Sequence, residues 1–257
     1  MPAVTKPDYG VDAPGVVRNL ALVAAAGLLA FVSAAAGLWS GSVLGIPMAG
    51  IGLGFAISCG ITAALMVYGS KVGKVRGRER LLDLLPWRGD EQVLDVGCGR
   101  GLLLIAAARR LTTGRAIGVD IWQTEDLSGN RPDATLENAR LEGVAERVEV
   151  RTADMRELPF PDAAFDTVVS SWAVHNLYDP QDREKALREI ARVLKSRGRL
   201  LLRDIKHGGE YAAVLKSAGL EPIRRADNRA LSLLAMIWTF GGVRPVVLLA
   251  EKPPGPA

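Results

Sequence analysis

Cysteine occurs only twice in these 257 residues, at Cys59 and Cys98, which is too few to staple a chain of this length and excludes a disulfide scaffold. Charge of one sign is not in large excess either. Lys and Arg number 32 against 28 Asp and Glu, and beyond the run Lys71–Arg80 the two signs are interleaved, which gives little support to a nucleic-acid surface. Disorder is excluded because 49% of the chain is hydrophobic, ample apolar surface for a core. The most informative gap is local: no Lys, Arg, Asp or Glu occurs from Asn19 to Ser70.

Within that gap lie two apolar runs, from Leu20 to Trp39 and from Ile46 to Tyr68, separated by Ser40-Gly41-Ser42 with Pro47 just beyond. About twenty helical residues cover the roughly 30 Å of a bilayer core, so the runs predict a transmembrane hairpin. The row Gly50, Gly54 and Ser58 offers a packing face, since helices in lipid associate through close backbone approach. Two other readings stay open: a helix from a buried core, or a signal peptide cleaved near Ser33-Ala34-Ala35. Lys6 and Arg18 precede the first run and Lys71, Lys74, Arg76, Arg78 and Arg80 follow the second, so both ends are expected on the cytoplasmic side. The basic run is either this topology signal alone or also a contact with anionic headgroups.

From Leu81 the pattern changes to alternating strands and helices. Strands are predicted at Glu91–Val96, Arg115–Asp120, Arg147–Arg151, Phe165–Ser170, Arg199–Asp204, Pro222–Arg225 and Pro245–Ala250. Helices are predicted at Leu102–Leu111, Ala134–Leu141 and Tyr211–Ala218, with a further one after the cap Asp179-Pro180 that Gly198 stops. The alternation implies a parallel sheet with helices on both faces, the last strand lying inside it because its residues are almost all apolar. Leu231–Phe240 is too short to span a bilayer and is either core or an apolar surface resting on a membrane, and Lys252–Pro256 reads as a frayed tail.

The first strand runs into Asp95-x-Gly97-x-Gly99-x-Gly101, with Leu102 where a dinucleotide-binding turn places its third glycine, so a nicotinamide cofactor loses support. Here the sequence resembles the class I S-adenosylmethionine-dependent methyltransferases, over about residues 75 to 251. The resemblance implies an α/β, Rossmann-like seven-stranded sheet, preceded here by the two membrane helices, and S-adenosylmethionine as cofactor. It implies that Gly97, Gly99 and Gly101 let the backbone pass close to the methionine moiety and that Asp95 helps to hold its amino group. Asp120 would bind the ribose hydroxyls, Ile121 and Trp122 would flank the adenine, Asp154 would face its amino group, and Met155 would cover the ring. Three acids at three successive strand ends suit the edge where open parallel sheets bind ligands. Cys98, inside the turn, reads as a small filler.

Ser170–Asn176, after the fourth strand, stands where the family places residues facing the reacting methyl, which makes Ser170 a cofactor contact and Trp172 and His175 catalytic candidates. Methyl transfer from a sulfonium requires alignment and exclusion of water, and no metal. His175 either takes a proton from the acceptor or only forms a hydrogen bond within the fold, and His207 and Tyr211 are the other candidates. Too few cysteines are placed for arsenite, and no carboxylate set of the metal-dependent catechol type can be assembled. The loop Gln123–Pro132 is long enough to shape a substrate mouth. The expected order is a tail (1–18), the hairpin (19–70), a basic lead-in (71–90), the methyltransferase domain (91–251) and a tail (252–257). The expected protein is a methyltransferase of a bacterial inner membrane, with a cytoplasmic catalytic domain and an apolar or lipid-like small-molecule acceptor. A soluble acceptor, or a cofactor-binding interaction protein without turnover, are the alternatives.

Overall fold

The structure, a computed structural model, describes residues 6–38, 45–239 and 242–255. Ser40-Gly41-Ser42, Phe240 and Pro256 lie outside the described residues. The chain forms two compact units: one takes the chain up to Tyr9, Gly77–Trp122 and everything from Asn130 on, and the other holds Gly10–Arg76 with Gln123–Gly129.

The second unit contains α1 (Pro14–Ala35) and α2 (Gly45–Tyr68), followed by a π-helical turn, Gly69–Gly73. Both helices are long and apolar enough to cross a membrane, and little of their apolar surface is buried. Leu29, Val32, Phe55 and Leu65 are more than half exposed, so the reading as buried core helices fails. The helices touch at glycines, but not at the expected row. A Cβ built on Gly52 would stand 2.7 Å from the Gly27 carbonyl oxygen, and Gly60 faces Ala24, whereas Cβ atoms on Gly50 and Gly54 would meet nothing within 4 Å. Two small-residue rows run along α2, and the notch at Gly27 selects the one through Gly52, Ala56 and Gly60.

Ahead of α1, Asp12 is tied to the π-helical turn: its carboxylate accepts from Ser70 Oγ at 2.9 Å and from Lys74 Nζ at 2.8 Å. Gln123–Gly129 joins this unit through Asp12 and Leu127, with Ala13 N–H donating to the Asp126 carbonyl and Ser128 N–H to that of Val11. The loop expected at a substrate mouth therefore spends backbone groups on the strap that leads into α1. In α3 (Lys74–Leu82), Lys74 and Arg78 are buried while Arg76 and Arg80 are exposed, so part of the basic run is internal rather than available to headgroups.

The other unit is a seven-stranded sheet: β1 (Gln92–Val96), β2 (Arg115–Asp120), β3 (Val148–Thr152), β4 (Phe165–Ser171), β5 (Leu194–Asp204), β6 (Ile223–Arg225) and β7 (Val246–Glu251). Its order is β3-β2-β1-β4-β5-β7-β6. It is accompanied by α4 (Leu102–Ala108), α5 (Pro132–Leu141), α6 (Pro180–Val193) and α7 (Gly208–Ser217), and α8 (Arg229–Trp238) lies in the connection from β6 to β7. The sheet is mixed rather than parallel, because β7 runs antiparallel to both β5 and β6. The segment joining β6 to β7 leaves and re-enters at one edge of the sheet, and such a connection reverses the strand. In sequence its length resembles a crossover.

Leu94, Val168, Leu187, Ile190, Leu200, Leu202 and Leu248 pack in one buried cluster, each contributing about 1.5–3 kcal/mol by leaving water. Asp179 caps α6, its side chain accepting from Gln181 N–H at 2.9 Å. The helix ends at Val193 and passes directly into β5, so Gly198 lies within the strand rather than stopping the helix. The tail is tied at its start: Lys252 Nζ donates to the carbonyls of Ala191 and Leu194, both at 2.8 Å, satisfying groups that a helix end leaves open.

Candidate active site

The site is built from the carboxyl ends of β1, β2, β4 and β5. Past β1 the chain turns sharply, with Gly97, Gly99 and Gly101 at φ of 72°, 52° and 85°, the left-handed region that favours glycine. Gly97 also has no room for a side chain, since a Cβ there would lie 2.2 Å from that of Ala173, two residues before His175. The turn is held from several sides. Gly99 N–H donates to Asp120 Oδ2 at 2.8 Å, Thr135 Oγ1 donates to the Gly99 carbonyl at 2.7 Å, and Asn138 Nδ2 donates to that of Arg100 at 2.9 Å. Thr135 and Asn138 escaped the sequence reading; the available signal was two polar residues on the inner side of a short helix, where they must be hydrogen-bonded.

Asp120 closes β2. Besides the Gly99 amide it accepts from Trp122 N–H at 2.6 Å and Asn130 Nδ2 at 3.1 Å, both on Oδ1. Asp95 lies deeper, 2% exposed, and accepts from Leu104 N–H in the first turn of α4 at 2.8 Å. Burial pushes its carboxyl up to about 7, with the nearby Asp120 charge adding to the shift and the Leu104 hydrogen bond opposing it. Cys98 fills the space over Gly118, and burial drives its thiol well above the ordinary range. Ile121 is exposed, and Trp122 donates its ring N–H to Thr152 Oγ1 at 2.8 Å. Asp154 is gripped by Arg156, whose hydrogen bonds hold its carboxyl below the usual range. Met155 reaches the glycine turn, its Cε 3.7 Å from where a Gly97 Cβ would stand. Ser170 is buried and donates to the Val96 carbonyl at 2.8 Å, so its hydroxyl braces β4 against β1.

At the ends of β4 and β5 a second group assembles. His175, on the short 3-10 turn Val174–Asn176, places Nδ1 2.5 Å from Asp204 Oδ1, and its backbone N–H donates to Oδ2 at 3.0 Å. Tyr211 donates its hydroxyl to the same Oδ2 at 3.2 Å, and Ile205 N–H reaches Oδ1 at 2.8 Å. Asp204 is 1% exposed. Opposite a carboxylate, which accepts, Nδ1 is the donor of this pair, and Nε2 is the ring nitrogen outside it. Burial, with Asp204 adding to it, pushes the Tyr211 phenol well above its ordinary range, so Tyr211 serves as a donor to Asp204. His207 pairs instead with Glu210, and burial lowers its basicity. Trp172 has φ of 57° and lies under the Arg203 guanidinium, 4.7 Å from its ring centre. The 29 residues that separate His175 from Asp204 hide this partnership in the sequence.

Residues 94–202 match the family model described as a methyltransferase domain. The chain is 36% identical over 144 residues to the 27-O-demethylrifamycin SV methyltransferase of Amycolatopsis mediterranei, covering 56% of this chain and 47% of that protein. It is 35% identical over 116 residues to a demethylmenaquinone methyltransferase of Symbiobacterium thermophilum, covering 45% of this chain and 43% of the relative. It thus spans about half the length of these curated relatives. The structure superposes on geranyl diphosphate C-methyltransferase from Streptomyces coelicolor with a TM-score of 0.55 and 19% identity, over 74% of this chain and 82% of that one. At that identity the likeness speaks for the fold alone; that protein was solved with S-adenosyl-L-homocysteine bound. Over residues 94–202 the chain is thus similar to methyltransferase domains, and its sheet has the fold of a solved methyltransferase.

Proposed function

We propose that the protein is a membrane-anchored S-adenosylmethionine-dependent methyltransferase acting on a small apolar acceptor that loses a proton on methylation. One observation carries this reading: the glycine turn meets Ala173, and so brings the Asp120 side of the sheet edge to the segment that holds His175 on Asp204. The residues fit the cofactor. The turn carries no side chain at Gly97, Gly99 or Gly101, as the close approach of a methionine moiety requires, and Asp120 presents two acceptor oxygens for a ribose diol. Of its present contacts, Asn130 at 3.1 Å is the longest and the one that a ribose hydroxyl would displace.

Bound S-adenosylmethionine supplies an electrophilic methyl group on a sulfonium sulfur. The chain's own residues align the acceptor and remove its proton. Asp204 and the Tyr211 hydroxyl fix the His175 ring, and Nε2 takes the acceptor proton as the new bond to the methyl carbon forms. Asp204 then stabilises the resulting imidazolium, as a carboxylate at Nδ1 does in other His-based sites. His175 is the catalytic base in this reading, Asp204 its positioning residue, and Trp172 a wall of the acceptor space.

The apolar acceptor is supported by the two long apolar helices in the same chain and by relatives named for demethylmenaquinone and 27-O-demethylrifamycin SV. A tether at the bilayer raises the effective concentration of a membrane-dissolved acceptor. The test is to incubate membranes holding the full chain, or its His175→Ala variant, with methyl-labelled S-adenosylmethionine and to extract with organic solvent. Label in the organic phase that depends on His175 is expected; label confined to the aqueous phase overturns the apolar acceptor, and label unaffected by the substitution overturns the base.

A further inference from the structure

Helix α8 is amphipathic with its faces reversed. Leu231, Leu233, Leu234, Ile237 and Trp238 are 53–63% exposed, while its hydroxyl residues turn inward. Ser232 Oγ donates to the Pro245 carbonyl at 2.9 Å, and Thr239, just past its end, donates to the Ala235 carbonyl and accepts from Val243 N–H. A helix on a water-facing surface shows the opposite arrangement. The helix is fixed at its start. Asn228 caps the helix through the Ala230 and Leu231 amides, and Asp227 at its root accepts from Arg225 and from Val247 N–H. The expectation that Leu231–Phe240 is core is therefore corrected over the described residues, and the surface reading remains.

Charge and position narrow what covers this face. From Asn228 to Ala250 the sequence holds no Asp or Glu, while Arg229 and Arg244 are present and Arg224 and Arg225 precede the helix. Arg224 and Arg244 are exposed, Arg225 is paired with Asp227, and Arg244 lies against Met236. An apolar face with exposed Arg224 and Arg244 in the segments flanking the helix, and tryptophan at its end, matches the headgroup and acyl boundary of an anionic bilayer. The segment carrying α8 leaves the sheet at Arg225 and returns at Val246, which pairs with Asp204, the partner of His175. The apolar helix therefore belongs to the same sheet edge as the candidate active site.

We propose that α8 is an interfacial helix that seats the catalytic unit on an anionic lipid surface, its apolar face in the acyl chains and the site edge beside it. This rests on the anchored reading above, and it adds that the site takes its acceptor from the bilayer boundary rather than from bulk water. The full chain is reconstituted into vesicles of phosphatidylethanolamine and phosphatidylglycerol, with or without bromine on the acyl chains near the headgroup. The Trp238 signal is the difference between the parent and Trp238→Phe.

Bromine is expected to remove most of the Trp238 emission, and Leu231→Glu with Leu234→Glu to abolish that quenching. Trp238 emission unchanged by bromine overturns the proposal, as does shielding from aqueous acrylamide without bromine quenching, which signals a protein cover. Alkaline carbonate washing separates the two readings. A chain that stays in the membrane with Trp238 unquenched refutes α8 docking alone. A chain that washes off, yet is quenched at neutral pH, refutes the hairpin anchor and upholds α8.

Discussion

His175 and Asp204 are the residues on which the proposed chemistry turns. Replacing His175 by Ala removes the proton acceptor, and the expected outcome is a loss of roughly 10²–10⁴ in kcat, with the affinity for S-adenosylhomocysteine, measured by calorimetry, unchanged. Asp204→Asn keeps the shape but offers the wrong hydrogen-bond partner to Nδ1, so it should lower kcat in the same direction without loss of cofactor affinity. Asp95 gives a prediction of a different kind. Its folded-state carboxyl titrates at about 7 against an ordinary value of 3.8, so between those values the folded chain holds a proton that the unfolded chain has released. That stabilisation is whole at the acid end of the window and is lost as pH rises through about 7. Asn at position 95 keeps an acceptor for Leu104 N–H without the charge. In denaturant titrations of the detergent-solubilised chain, the variant should therefore gain on the parent across this window, by up to about 1.4 kcal/mol per pH unit, and then level off. Asp95, Asp120 and the three glycines were legible in sequence because their spacing is local. The burial of Asp95 and the Asp204 contact were not, because both depend on other strands.

At the scale of elements, the hairpin and the helix behind His175 make separate demands. Gly27 and Gly52 bring the two helix backbones together, whereas Gly50 and Gly54 face open space. Gly52→Leu and Gly27→Leu should each lower the melting temperature in detergent, and Gly50→Leu and Gly54→Leu should leave it near the parent's, because only the first pair drives a side chain into facing backbone. The sequence held two equivalent rows on α2 and nothing local to choose between them. Behind the site, Arg183 of α6 is 4% exposed and donates to the carbonyls of Leu177 and Tyr178 and, through its fork, to Glu210. It thus ties the chain just past the His175 turn to α7. Glu210 keeps 31% of its side chain exposed, so losing this pair costs less than the ~3–5 kcal/mol of a fully buried one. Arg183→Met should therefore destabilise the chain in denaturant titrations, and Arg183→Lys should restore only part of that stability because it lacks the bidentate fork.

For the whole molecule, the anchored reading predicts a topology. Cations flank the apolar runs on the outer sides and are missing between them, so both chain ends should face the cytoplasm. An alkaline phosphatase reporter inserted at Gly41 should be active in a bacterial host, and a fluorescent protein fused at the C-terminus should glow. An inactive phosphatase at Gly41 refutes the hairpin.

The sequence by itself determined the two apolar runs, the seven strands and the motif acids, because hydrophobic periodicity and turn chemistry act over a few residues. Only the tertiary structure decided that β7 runs antiparallel, that Gly27 selects the Gly52 row, that Lys74 and Arg78 turn inward and that the hydroxyls of α8 do so too. It also decided that Asp204 lies against His175. Each of these depends on which surface lies opposite a residue, and that partner stands far away along the chain.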